Sequence, residues 1–146
     1  MFRNWLGGSR DMYVARSGDG LHFGAARKLG NGTWKLNACP MDGGGMAASG
    51  AGVITAWRRE HSVYLDRPGE AEKEIGQGTD VAIAANGRGA YVIWTTPESI
   101  EMFTPGAGKP RAVGSKGAFP AIAAFADGGA LAAWESGGRI AVEQVR

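Results

Sequence analysis

The chain has 146 residues, 44% of them hydrophobic and 21% charged, enough for one ordinary domain with its own core and too apolar for wholesale disorder. A formal net charge of +2 is too small to argue for nucleic acid as a partner, and no stretch approaches the ~20 consecutive apolar residues of a membrane span. The single cysteine, Cys39, excludes an internal disulfide and a thiolate cluster, and reads as a small buried apolar residue.

In chain order, Met1–Trp5 reads as the tail of a strand, and Arg10–Arg16 (RDMYVAR) alternates as a second strand. Ser17–Gly20 places Ser, Gly, Asp and Gly in a row, a turn, and Ala26–Leu29 is a short strand closed by Gly30. The irregular stretch NGTWKLNACPMDGG, 31–44, leads into GMAASGAGVITAW, Gly45–Trp57, two apolar runs around a glycine turn. Short strands follow at 63–65 and 72–75. The pattern recurs as AIAANGRGAYVIW (Ala82–Trp94) with strands at 100–103 and 111–113, then as AIAAFADGGALAAW (Ala121–Trp134) with a strand at 139–145.

The repeated unit is four short strands, A to D. Its A–B turns fall at Ser49–Gly52, Asn86–Gly89 and Ala126–Gly129, and its D strands end in Leu29-Gly30, Ile75-Gly76 and Val113-Gly114. The strand-B tryptophans are 37 and 40 residues apart, near the ~40–45 of a propeller blade. The runs are too short for helices, and 25 glycines without a Gly-X-Y period supply many turns. The expected fold is therefore all-β: one β-propeller segment over 1–146, made of four-stranded antiparallel blades. It divides into a blade remnant (1–30), blades at 45–76 and 81–114, and an incomplete blade (119–146). The small apolar A strands suit a crowded innermost position, and each tryptophan is expected to fill the wedge between blades.

SGDGLHF, Ser17–Phe23, resembles the Asp-box of sialidases and bacterial neuraminidase repeat proteins, with Ser17, Asp19 and Phe23 at its Ser, Asp and aromatic positions, while Leu21 stands where the box has its glycine and Gly20 falls one residue before it. The chain as a whole is similar to bacterial sialidase-like propellers. The resemblance implies a structural box between strands C and D, with the hydroxyl and carboxylate holding turn amides and Phe23 packing between strands. It also implies that ligands are met on the opposite face, where the B–C and D–A links emerge.

On that face Arg3, Arg10, Arg58, Asp42 and Trp34 are the candidate ligand contacts, since guanidinium forks match the carboxylate of an acidic sugar. The family's Phe-Arg-Ile-Pro motif is absent, because Phe2-Arg3 continues with Asn4 and Trp5, and no tyrosine is tied by motif to a glutamate. Catalytic residues are thus unassigned, and recognition of a glycan or other small acidic ligand is favoured over hydrolysis. The alternative is a non-catalytic scaffold for protein interaction or self-assembly. His22 and His61 are too few and too separated for a metal site, and no P-loop, HExxH or nucleophile elbow occurs, so no cofactor is expected. MFRNWLGGSR lacks the apolar segment of a secretory signal, which leaves localisation open between the cytoplasm and a piece of a longer exported chain. About three and a half blades fall short of the ~4–8 of a closed ring, so either two copies close one as a homodimer or the chain is a fragment.

Overall fold

The computed structural model describes residues 1–50 and 52–145. Ala51, in the first A–B turn, and Arg146, at the end of the last repeat, lie outside the described residues. The described chain is all-β, in four antiparallel sheets whose strands pair with their neighbours in sequence. The first sheet holds β1 (Phe2–Leu6), β2 (Ser9–Val14) and β3 (Arg27–Lys28). The second holds β4 (Gly45–Ser49), β5 (Gly52–Arg59), β6 (Ser62–Asp66) and β7 (Lys73–Gln77). The third holds β8 (Thr79–Asn86), β9 (Gly89–Thr95), β10 (Ser99–Phe103) and β11 (Arg111–Ser115). The fourth holds β12 (Ala118–Ala124), β13 (Ala130–Ser136) and β14 (Arg139–Val145).

Burial along the strands follows from which sheet faces are covered. In β9 the run Ala90–Trp94 is buried throughout, because the third sheet has a neighbour on each side. In β13, by contrast, Ala130, Ala132 and Trp134 are buried while Leu131 between them is exposed. The expectation of crowded A strands needs correction. β4, β8 and β12 do lie side by side, but β4 and β12 alternate between half-buried and exposed positions, and Met46 is exposed. The crowding between them is local: a Cβ on Gly45 would sit 2.8 Å from Cγ2 of Ile83.

Three separate apolar clusters fill the spaces between consecutive sheets. Met12 and Leu29 meet Trp57; Ile54, Val63 and Leu65 meet Val92, Trp94 and Phe103; Ile93, Ile100 and Met102 meet Ala132 and Trp134. Each strand-B tryptophan therefore points back at the sheet before it. There it lies between two glycines: Gly30 and Gly44 for Trp57, Gly76 and Gly78 for Trp94, Gly114 and Gly117 for Trp134. At Gly117 a Cβ would fall 2.7 Å from Cδ1 of Trp134, and at Gly44 it would fall 2.8 Å from Cβ of Trp57, so only hydrogen fits. The indole Nε1 of Trp94 donates to the Gln77 carbonyl at 2.8 Å, which keeps the buried ring satisfied.

Candidate functional site

Strand-B ends and the long link between β3 and β4 bring four of the five candidate side chains together. Arg3 on β1 donates from Nε to the Asp42 carbonyl (3.0 Å), from Nη1 to the Arg10 carbonyl (2.7 Å) and from Nη2 to the Arg58 carbonyl (2.9 Å). Arg58 on β5 sets Nε 3.0 Å from Asp42 Oδ2, an ionic contact outside hydrogen-bond geometry, and donates from Nη2 to the Pro40 carbonyl. Both guanidinium carbons stand about 5 Å from the Trp34 ring centroid, at 5.2 and 5.1 Å. The Asp42 carboxylate also accepts the amides of Gly44 (3.4 Å) and Asp80 (3.3 Å).

This arrangement is a clasp that fastens a 16-residue connection, 29–44, across the first three sheets. Its side chains are spent on one another: Trp34 is 8% exposed, and the side chains of Arg58 and Asp42 are 14% and 4% exposed. Burial pulls the Arg3 guanidinium below its ordinary pKa, with Arg58 adding to the effect and Asp42 opposing it. A second clasp lies beside it. Glu72 accepts both Nη groups of Arg59 (2.8 and 3.1 Å) and the amides of Asn31 and Gly32, while Arg59 covers the Tyr64 ring at 3.8 Å. Burial pushes the Glu72 carboxyl up, but Arg59 and the two amides outweigh it and hold the group below its ordinary value.

Arg10 differs from the other candidates. Its guanidinium lies 5.6 Å from the ring of Trp5, which is 52% exposed, and it makes no ion pair among the described residues. Cys39 is exposed, against the expectation of a buried residue, because the link around it runs over the surface.

The Ser17–Phe23 turn joins β2 to β3. Ser17 Oγ accepts the amides of Asp19 and Gly20 and donates to Asp19 Oδ1, which also accepts the amides of Leu21 and His22. Gly20 sits at φ 78°, and Ser17 bridges to Phe23. Bonds from His22, Leu21 and Ser17 hold the Asp19 carboxyl well below its usual range. Phe23, expected to pack between strands, is 65% exposed; the turn is fixed by its polar bonds, not by its aromatic ring.

The open space on the B–C and D–A side lies elsewhere. A cleft of about 690 Å³ is lined by His61, Gln77, Gly78 and Thr79 on one side and by Thr95, Thr96, Pro97, Lys116 and Gly117 on the other. Four links build it, those at 59–62, 77–79, 95–99 and 115–118. The Thr95 hydroxyl in its wall is buried without a hydrogen-bond partner among the described residues. Next to the lining residues, Asp80 and Phe119 both hold left-handed backbone, at φ 56° and 53°, where the pairing of β8 with β9 and of β12 with β13 shifts register. Such conformations cost about 1–3 kcal/mol each in a non-glycine residue, and Phe119 presents its ring at 79% exposure.

Arginine count drew attention to the clasp, whereas the cleft depends on which links face one another, a relation no single stretch of sequence carries. Its one sequence signal is the recurrence of polar links past each tryptophan. Among the described residues no group of three or more His, Cys, Asp or Glu is placed to hold a metal ion, and no helix is long and apolar enough to cross a membrane. Comparison with family models, with curated proteins and with solved structures finds no match to this chain.

Proposed function

We propose that the chain is a segment of a sialidase-like β-propeller that recognises a small acidic, polyhydroxylated ligand, a glycan, in the cleft between the links. The observation that carries this reading is the cleft itself: the cation of Lys116 and the side chains of Gln77 and His61 line about 690 Å³, with the Thr95 hydroxyl buried in its wall and the Thr79 and Thr96 hydroxyls bonded to Asp80 and Ser99. That volume falls within the ~300–1,000 Å³ of small-molecule sites, and the donor set suits hydroxyls and one carboxylate. The four successive meander sheets, the last three each with a tryptophan against the sheet before, support the blade reading. The amide-holding turn at Ser17 and Asp19 supports the likeness to the Asp-box.

Recognition is favoured over hydrolysis. The buried Tyr91 hydroxyl is occupied by the Gly128 carbonyl at 2.6 Å, Tyr64 lies under Arg59, and Tyr13 stacks on Phe2. A glycan array with wild type and Lys116→Glu tests the proposal, with a fluorogenic sialoside as the turnover control. Binding to acidic glycans that is lost in Lys116→Glu is the expected result. No glycan bound by the folded wild type would overturn it and favour the scaffold reading, which the exposed apolar faces of the end sheets support on their own.

A further inference from the structure

The two end sheets of the chain expose the two halves of a junction that the chain forms three times within itself. Strand register sets the equivalences. Trp57 pairs with Tyr64, Trp94 with Glu101 and Trp134 with Ala141. The flanking positions on strand C are therefore Val63 and Leu65 in the second sheet, Ile100 and Met102 in the third, and Ile140 and Val142 in the fourth. The first four are 0%, 1%, 0% and 1% exposed, covered by the next sheet; Ile140 and Val142 are 72% and 61% exposed. Leu131 on β13 adds to the same face, where its equivalent Tyr91 is buried.

At the other end, Phe2 pairs with Tyr13 and stacks on it at 5.9 Å and 21°, repeating the Trp57–Tyr64 stack at 6.1 Å and 23°. Trp57 and Tyr64 form the face that meets the sheet before them, and Trp57 is 2% exposed; Phe2, in its place, is 43% exposed.

From this we infer that the chain associates head to tail with a second copy of itself, the Phe2–Tyr13 face of one copy packing on the Leu131–Ile140–Val142 face of the other. The contact is heterologous, so each copy retains one free face unless the second junction closes. The pairing is independent of any ligand in the cleft. The faces are opposite in kind, aromatic against aliphatic, and each of the three internal junctions likewise sets a tryptophan against aliphatic side chains or methionine. Exposed apolar patches of this kind mark surfaces that meet a partner.

The test uses two variants in which only exposed side chains change: Ile140→Lys/Val142→Lys, which spoils one face, and Phe2→Asp, which spoils the other. Light scattering after size exclusion reads the mass, and circular dichroism confirms that each variant keeps the wild-type spectrum. Wild type is expected at a multiple of the 15.2 kDa chain mass, and each variant alone at that mass. An equimolar mixture of the two variants is expected to yield a species of twice the chain mass, because each supplies the face the other lacks. Monomeric wild type overturns the inference, as do variants that associate on their own or a mixture that stays monomeric.

Discussion

Gly114 at the end of β11 lies against the indole of Trp134, so close that a Cβ there would stand 2.5 Å from Cζ2 and 2.8 Å from Cε2. The φ of Gly114 is ordinary, so the demand for glycine is steric alone. Gly114→Ala is expected to cost about 1–3 kcal/mol through overpacking, read from urea unfolding. Gly108→Ala, where a Cβ meets nothing within 4 Å, is the control expected to stay near wild type. Equal effects at the two positions would show that the ring does not set the requirement.

The clasp predicts a different kind of loss. Asp42→Ala leaves the nearly buried Arg58 guanidinium without its counter-charge and releases the amides of Gly44 and Asp80. Breaking one side of such a pair costs on the order of 3 kcal/mol, so a clear drop in Tm is expected. Arg10→Ala, whose side chain joins none of these bonds, is expected to unfold close to wild type in the same melts.

Phe119 offers a stabilising substitution. Its ring is mostly in solvent while its backbone sits at φ 53°, so Phe119→Gly removes strain of about 1 kcal/mol and little packing. Thermal unfolding is expected to rise, and the glycan array to weaken if the exposed ring stacks on the ligand. A lowered Tm would place the ring in a contact that matters for folding.

Stability should also carry a signature of Asp66 on β6. Burial pushes its carboxyl above the ordinary value, with Glu72 adding and Arg27 opposing, and it makes no ion pair among the described residues. A raised folded-state pKa means the folded chain holds this proton more tightly. The Asp66 contribution therefore falls as pH rises through the unfolded value of ~3.9 and levels off above the folded one. Asp66→Asn is expected to raise Tm at neutral pH, with the gain vanishing below about pH 3. A gain that persists at low pH would point to packing in place of charge.

Strand positions were legible because glycine punctuates them: the expected turn at Asn86–Gly89 joins β8 to β9 at the stated residues, and the Arg139–Val145 strand is β14. So was the meeting of the candidate residues, although not its meaning. Arg3, Arg58, Asp42 and Trp34 do converge, but as a closed set of internal bonds, since sequence shows donor types and not whether backbone carbonyls of a link will consume them. Phe23 and Cys39 read as buried and stand in solvent, because hydrophobic character says little about a residue on a surface link. The recurrent Leu-Gly, Ile-Gly and Val-Gly pairs were visible as punctuation, whereas their role as seats for the next tryptophan required the structure.

Each of these seats draws only on the two sheets it joins, with its two glycines in the stretch that runs from one sheet into the next, two or three residues apart at Trp94 and Trp134 and fourteen apart at Trp57. A gene for such a chain lengthens by duplicating whole repeats without altering any existing junction, since every added unit brings its own tryptophan and leaves its own glycines for the next. Insertion of part of a repeat would instead strand an indole against a side chain. Copy number is then free to drift during descent, while each copy keeps its glycines and its tryptophan.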